Sequence, residues 1–259
     1  MKIQSHSLLG MRLDYVTPQQ GVQMITDWAV QKKPGYCCVP NVHMCIETID
    51  NPDFRKLVNE AVLNWSDSTI LQKARSLRFG IDMLPVMKGA DMMPALLQAA
   101  VEKNLTVGLY GASEETIQKL RQKLPQRFPD LKLAYAFSPP FRPLSKEEDA
   151  QIVEQINGAG IDLLLVGLGC PKQERWMAEH TDRLPHTMMI GIGAAFDFNA
   201  GTVAPSPSWV HQYGVEWLYR MIHEPKRLAR RYLSTSPRFL MLLLIDALKC
   251  RIGRKNINS

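Results

Sequence analysis

The sequence lacks the signals that usually mark a metal, a disulfide or a nucleotide cofactor. Its five cysteines (Cys37, Cys38, Cys45, Cys170 and Cys250) form no Cys-x-x-Cys pair and no zinc-ligand spacing. An odd count without a secretory leader reads as reduced thiols in the cytoplasm. No Gly-x-Gly-x-x-Gly turn, Walker P-loop or Gly-x-Ser-x-Gly elbow occurs. Dinucleotide oxidoreductases, P-loop hydrolases and serine hydrolases of the nucleophile-elbow type thus lack their fingerprints. There is also no Asp-x-Asp pair to hold a metal against a nucleotide diphosphate. The apolar run FLMLLLIDAL (239–248) is too short to span a bilayer, and Asp246 interrupts it. Internal repeats and low-complexity stretches are absent.

Acidic residues are scarce at the C-terminal end. Residues 220–259 carry ten lysines and arginines against Glu224 and Asp246, a net +8. The whole chain carries +6, so the first 219 residues sum to −2. The basicity therefore belongs to the tail and suggests an anionic partner, either a membrane surface or a nucleic acid.

What is present is an alternation of buried-looking strands and amphipathic helices. GYCCVPN (35–41), LTVGLYG (105–111), LKLAYAF (131–137), LLLV (163–166) and TMMIGIGAAFDF (187–198) read as strands. The continuous apolar character of Leu163-Leu164-Leu165-Val166 suits a strand covered on both faces, as in a parallel sheet. Between the strands, helical segments surround the Asn51-Pro52 break, Ser113 serves as an N-cap, and SKEEDAQIVEQINGAG makes a capped helix ending at glycine. Repeated β–loop–α units of this kind imply a parallel sheet flanked by helices.

After Gly201 the texture changes to a Pro- and Ser-rich connector, TVAPSPSW. Trp209, Tyr213, Trp217 and Met221 then recur every four residues and read as a helical stripe packing on the core. Arg227, Arg230 and Arg231 share one helical face with almost no balancing acid, which suits a phosphate partner. FLMLLLIDAL with its basic flanks reads as a helix lying on a surface.

The strand-end loops hold the candidate chemistry. Asn41 and His43 follow the first strand, and the histidine reads as a local hydrogen-bonder. Asp67, set among Ser66, Ser68 and Thr69, reads from spacing alone as a helix cap. KGAD (88–91) and YGAS (110–113) are small-residue turns that a phosphate could approach. In GLGCPKQERWM, Gly167 and Gly169 allow tight turning or close approach, and Pro171 suits a first helical turn. Gln173 and Glu174 follow in that turn, and Asp197 sits in GIGAAFDFNAG. A helix N-terminus beyond such a strand is a ready anion site, although most such turns are merely structural.

Taken together, VPNVHM, SDST, KGADMM, LYGASEETI, GLGCPKQERWM, GIGAAFDFNAG and YGVEWLYRMIHEPKRLARRYL resemble the WecB/TagA/CpsF family of bacterial glycosyltransferases, in family order over about residues 36–233. The resemblance implies a Rossmann-like α/β catalytic core in residues 1–203, with a mostly parallel sheet flanked by helices. A basic, helical, membrane-associating appendage follows in residues 204–259. The implied reaction moves an N-acetylhexosamine-type or related sugar from a UDP donor to a polyprenyl-diphosphate-linked saccharide. It would proceed with inversion and without a metal or other cofactor, in exopolysaccharide or cell-envelope polymer synthesis. Asp67 matches the family's presumed base, and Asn41 and Gln173 match substrate contacts in the donor pocket. Gly111 and Gly169 belong to the matched turns and count as substrate-binding positions. Arg220, Arg227 and Arg230 match appendage arginines that would neutralise diphosphate charge.

Three departures stand out. Val39 occupies the threonine position of the family's TPN motif, Ser68 the glycine of ADG, and Pro205 the arginine of RAPxW. They imply a changed donor or acceptor rather than a changed reaction. The expected location is cytoplasmic, peripheral on the inner face of the bacterial plasma membrane, with an anionic membrane surface as partner and a homo-oligomer left open. Nucleic acid is not an expected partner. Two competing readings are a non-catalytic nucleic-acid-binding protein using the basic tail, and a soluble nucleotide-sugar-modifying enzyme such as an epimerase or dehydrogenase. The first lacks RNP-like aromatics and a recognition helix, and the second lacks its cofactor fingerprint.

Overall fold

A computed structural model describes residues 3–203 and 225–255, with side chains placed for 233–248 of the latter stretch. The stripe Trp209–Met221, Pro205 and Arg220 lie outside the described residues.

The chain opens with a short antiparallel hairpin, β1 (Ser5–Leu8) and β2 (Met11–Asp14), which the sequence reading does not anticipate. Its turn places Leu9 and Gly10 at positive φ. Helix α1 (Pro18–Val30) follows, started by a Thr17–Gln20 capping box.

The main body is a six-stranded parallel sheet in the order β4-β3-β8-β7-β5-β6. Its strands are β3 (Gly35–Cys38), β4 (Leu63–Asn64), β5 (Thr106–Gly111), β6 (Lys132–Phe137), β7 (Leu163–Gly167) and β8 (Met188–Gly191). Between them run α2 (Val42–Asp50), α3 (Pro52–Glu60), α4 (Thr69–Phe79), α5 (Gly89–Glu102), α6 (Glu114–Arg127), α7 (Lys146–Gly158) and α8 (Lys172–His180). The chain then reaches α9 (Ala195–Ala200) and α10 (Pro225–Lys255).

Successive strand residues face opposite sides of a sheet, and here both sides are covered. Leu163 and Leu165 of β7 join Val107, Leu109, Met188 and Ile190 under α1, α5 and α6. Leu164 and Val166 join Tyr110, Met189, Tyr36 and Cys38 under α2, α3, α7 and α8. Two-sided burial is why the central strands read as unbroken apolar runs.

The TMMIGIGAAFDF segment is only partly a strand. β8 ends at Gly191, Gly193 adopts φ +50°, and Ala195–Ala200 turns helical. A left-handed glycine cannot continue a strand, so the chain folds back over the sheet's carboxyl edge.

Helix α10 lies along α2. Phe239 is buried in the core, Arg238 pairs with Asp50 at 2.6 Å, and Arg78 pairs with Asp246. Asp246, which interrupts the apolar run in the sequence, is thus an anchor to α4. The opposite side of the helix leaves Leu240, Met241, Leu244 and Leu248 exposed. Among the described residues no helix is long and apolar enough to cross a membrane.

Candidate active site

The sheet order reverses between β5 and β7. β5 sends its chain to β6 on one side, whereas β7 sends its chain to β8 on the other. That divergence opens a crevice beyond the strand ends, the usual ligand position in open α/β sheets. Gly111 and Gly167 end the two strands as register partners. A Cβ on Gly111 would lie 2.5 Å from the Gly167 carbonyl carbon, and its φ is +125°. Only glycine permits this approach.

From this crevice a cleft of about 680 Å³ extends across the carboxyl ends of β8 and β3 to the loop after β4. At about 4.8 Å per strand, its two ends are roughly 15–20 Å apart. The cleft thus suits an elongated ligand. Asn41, Asp67, Gly169 and Gln173 all line it. Gly111 is buried and does not line the cleft, although Ala112 and Ser113, which follow it, do. Arg227 and Arg230 lie on α10, with side chains outside the described set.

The Asp67 end is tied together by a buried serine. Ser66 donates its hydroxyl to the Pro40 carbonyl at 2.7 Å and accepts the Ser68 N–H at 3.1 Å. These bonds hold the loop after β4 against the loop after β3, so Asp67 and Asn41 reach one cleft. The cap of α4 is Ser68, which accepts the Leu71 N–H, and not Asp67 as spacing suggests. With φ −96°, Ser68 needs no glycine at this position. Asn41 does cap α2, accepting the Met44 N–H at 3.0 Å through Oδ1. Lys88, at the start of α5, donates to the Asp67 carbonyl at 3.3 Å. Its motif was legible as a small-residue turn, but the role of the lysine was not. Val39, the first departure, is buried in the cleft wall.

At the crevice end, Gly169 has φ +79° and donates its N–H to Gln173 Oε1 at 3.0 Å. Gln173 Nε2 in turn donates to Glu174 Oε1 at 2.8 Å. Glu174 is wholly buried, and desolvation pushes its carboxyl up to about 7, against hydrogen bonds that favour the charged form. Burial likewise holds the neighbouring Cys170 thiol far above the ordinary thiol range. The burial of Glu174 escapes a reading of composition, yet a signal exists. Trp176 and Met177 mark the inward face of α8, and Glu174 lies on that face three residues before Met177.

What favours an anionic ligand here is the helix dipoles, since the charged side chains among the described lining residues are net negative. Starting residues of α2 (Asn41), α5 (Lys88 and Gly89) and α6 (Ser113) line the cleft, as does Cys170 just before α8. Each helix N-terminus contributes about half a positive charge. Among the described lining residues, Lys88 is opposed by Asp67, Asp91 and Asp197. Asp197 is held by the Thr116 hydroxyl at 2.9 Å, and that hydroxyl also meets Ser113. Among the described residues no group of three or more His, Cys, Asp or Glu converges as metal ligands.

The family model described as Glycosyl transferase WecG/TagA/CpsF family matches residues 6–253, which takes in the sheet, every cleft loop and most of α10. The chain belongs to this family and is a glycosyltransferase.

Proposed function

We propose that the chain transfers an N-acetylhexosamine-type sugar from UDP to a hydroxyl of a polyprenyl-diphosphate-linked saccharide, at the inner face of the plasma membrane, in exopolysaccharide or cell-envelope polymer synthesis. The observation that carries this reading is one cleft along the carboxyl edge of the sheet, beside the topological switch point, that Asn41, Asp67, Gly169 and Gln173 all line. Asp67 Oδ2 and the Ile192 carbonyl each lie 3.9 Å from the position of a Cβ on Gly89, so the carboxylate reaches toward the β8 loop that Gln173 touches. Such a cleft can hold a nucleotide by its phosphates and still present the sugar to a carboxylate.

In the proposed step Asp67 takes the proton of the acceptor hydroxyl. The freed oxygen attacks the anomeric carbon from the face opposite the diphosphate, and the anomeric C–O bond breaks. UDP leaves with the bonding pair, so the configuration inverts. Negative charge then grows on the diphosphate, where the helix N-termini lower its energy. Lys88 is the cation among the described lining residues, so further positive charge is needed. Arg220, Arg227 and Arg230 of the basic tail supply it in this reading. A metal is not required, because dipoles and guanidinium groups take its place.

The exposed apolar side of α10, with Leu240, Met241, Leu244 and Leu248, supports docking on an anionic lipid surface beside the basic residues of the same tail. Incubation with UDP-sugars and a polyprenyl-diphosphate-linked acceptor should release UDP only when both are present, and NMR of the product should show an inverted anomeric centre. Release of UDP without an acceptor, or turnover unaltered in Asp67→Ala, counts against the proposal.

A further inference from the structure

The first turn of α8 contains a buried carboxyl for which the transfer chemistry has no use. Glu174 Oε1 accepts one N–H from Gln173 Nε2, whereas Glu174 Oε2 has no well-formed hydrogen bond among the described residues, the Cys170 thiol beside the carboxyl being only a weak donor. A buried polar atom without a partner is costly and calls for a reason. An apolar side chain would pack beneath β3 and β8 without that cost.

The reason lies in the orientation of the neighbouring amide. The Gly169 N–H can only donate, so it selects Gln173 Oε1, and Glu174 Oε1 then takes the Nε2 end. A side-chain amide offers two N–H groups and two acceptor lone pairs. After these two bonds, one N–H and one lone pair remain. The amide stands against two positions without side chains. A Cβ on Gly191 would lie 2.7 Å from Gln173 Nε2, and one on Gly193 3.6 Å from Oε1. Gln173, Gly191 and Gly193 all border the cleft.

We propose that Glu174 is a positioning residue that acts through Gln173, its carboxyl locking the amide so that the remaining N–H faces the sugar of the donor. This rests on the reading of the cleft as a nucleotide-sugar pocket. Because burial raises the carboxyl to about 7, it carries less than a full negative charge beside the diphosphate near neutrality.

The test compares wild type with Gln173→Ala, Glu174→Leu, Glu174→Gln and the double variant Gln173→Ala/Glu174→Leu. Calorimetry measures the affinity for UDP-N-acetylglucosamine and for UDP alone. Glu174→Leu and Gln173→Ala should each weaken UDP-N-acetylglucosamine about tenfold, and the double variant no further, because both remove one contact. Affinity for UDP alone should stay within about twofold. Glu174→Gln should recover most of the loss, since its Oε1 accepts the same bond. NMR of the Gln173 side-chain amide protons supplies a readout independent of the donor: slow exchange in wild type and Glu174→Gln, fast exchange in Glu174→Leu. Losses that multiply in the double variant, or unchanged exchange in Glu174→Leu, overturn the inference even if the protein is an active UDP-sugar transferase. A wild type that binds neither probe, with the amide still protected, overturns instead the reading of the cleft on which the inference rests.

Discussion

The ionisation of Glu174 has a consequence for stability that can be measured without any substrate. In the folded chain its carboxyl is raised from 4.5 to about 7 by burial. An unfolded chain loses this proton near pH 4.5, whereas the folded chain keeps it until about pH 7. Between those values the folded state binds more protons, so its stability falls as pH rises. The contribution is fully present below about pH 4.5 and gone above about pH 7. Carrying a carboxyl over that range corresponds to about 3 kcal/mol. Glutamine has no such titration and can still accept from Gln173 Nε2. The difference in unfolding free energy between Glu174→Gln and wild type should therefore grow by about 3 kcal/mol between pH 4.5 and pH 8, in favour of the variant. Urea unfolding of both proteins at several pH values gives that difference directly. Other carboxylates whose ionisation is shifted by folding, such as Asp149, are common to both proteins and cancel. A difference that stays flat within about 0.5 kcal/mol from pH 5 to pH 8 would mean that the carboxyl is not sealed from water, and the argument from burial would fail.

Other perturbations test other parts of the structure. Asp67→Asn should lower kcat by about 10²–10³ while leaving the KM for the UDP-sugar nearly unchanged, if this group moves the acceptor proton; equal losses in both constants would point to a binding role. Gly111→Ala should cost about 2 kcal/mol or more in denaturant unfolding, because its Cβ would collide with the Gly167 backbone at a φ that disfavours side chains. Phe239→Ala should speed amide exchange in α10 but not in β7, since its ring anchors the helix to the core. Leu240→Asp/Leu244→Asp should abolish flotation on phosphatidylglycerol vesicles with little change in thermal midpoint, because both side chains are exposed; undiminished flotation would remove α10 from the membrane contact.

Much of the fold was legible because it depends on short-range patterns. The run Leu163–Val166 announced a strand covered on both faces, and Ser113 and Ser145 announced the starts of α6 and α7. Helix caps and side-chain periodicity act within a few residues, so local sequence contains them. The hairpin β1–β2 was missed because two four-residue strands carry little pattern. The 187–198 segment was over-read as a strand because Gly193 interrupts an otherwise apolar stretch.

The site was legible by residue type but not by role. Local spacing made Asp67 a cap, and only the resemblance to known glycosyltransferases pointed to a base. Tertiary contact resolved the first point: Ser68 caps α4, while Ser66, bonded to Pro40, turns the Asp67 loop toward the cleft. The sealed carboxyl of Glu174 and the junction of Gly111 with Gly167 likewise arise from segments distant in the chain. By itself, then, the sequence determined which segments become strands and helices, where most of them begin, and which polar residues fall at strand ends. Strand order, the loops that meet, and the protonation of a buried acid were decided only in three dimensions, because each depends on packing between residues that local spacing does not relate.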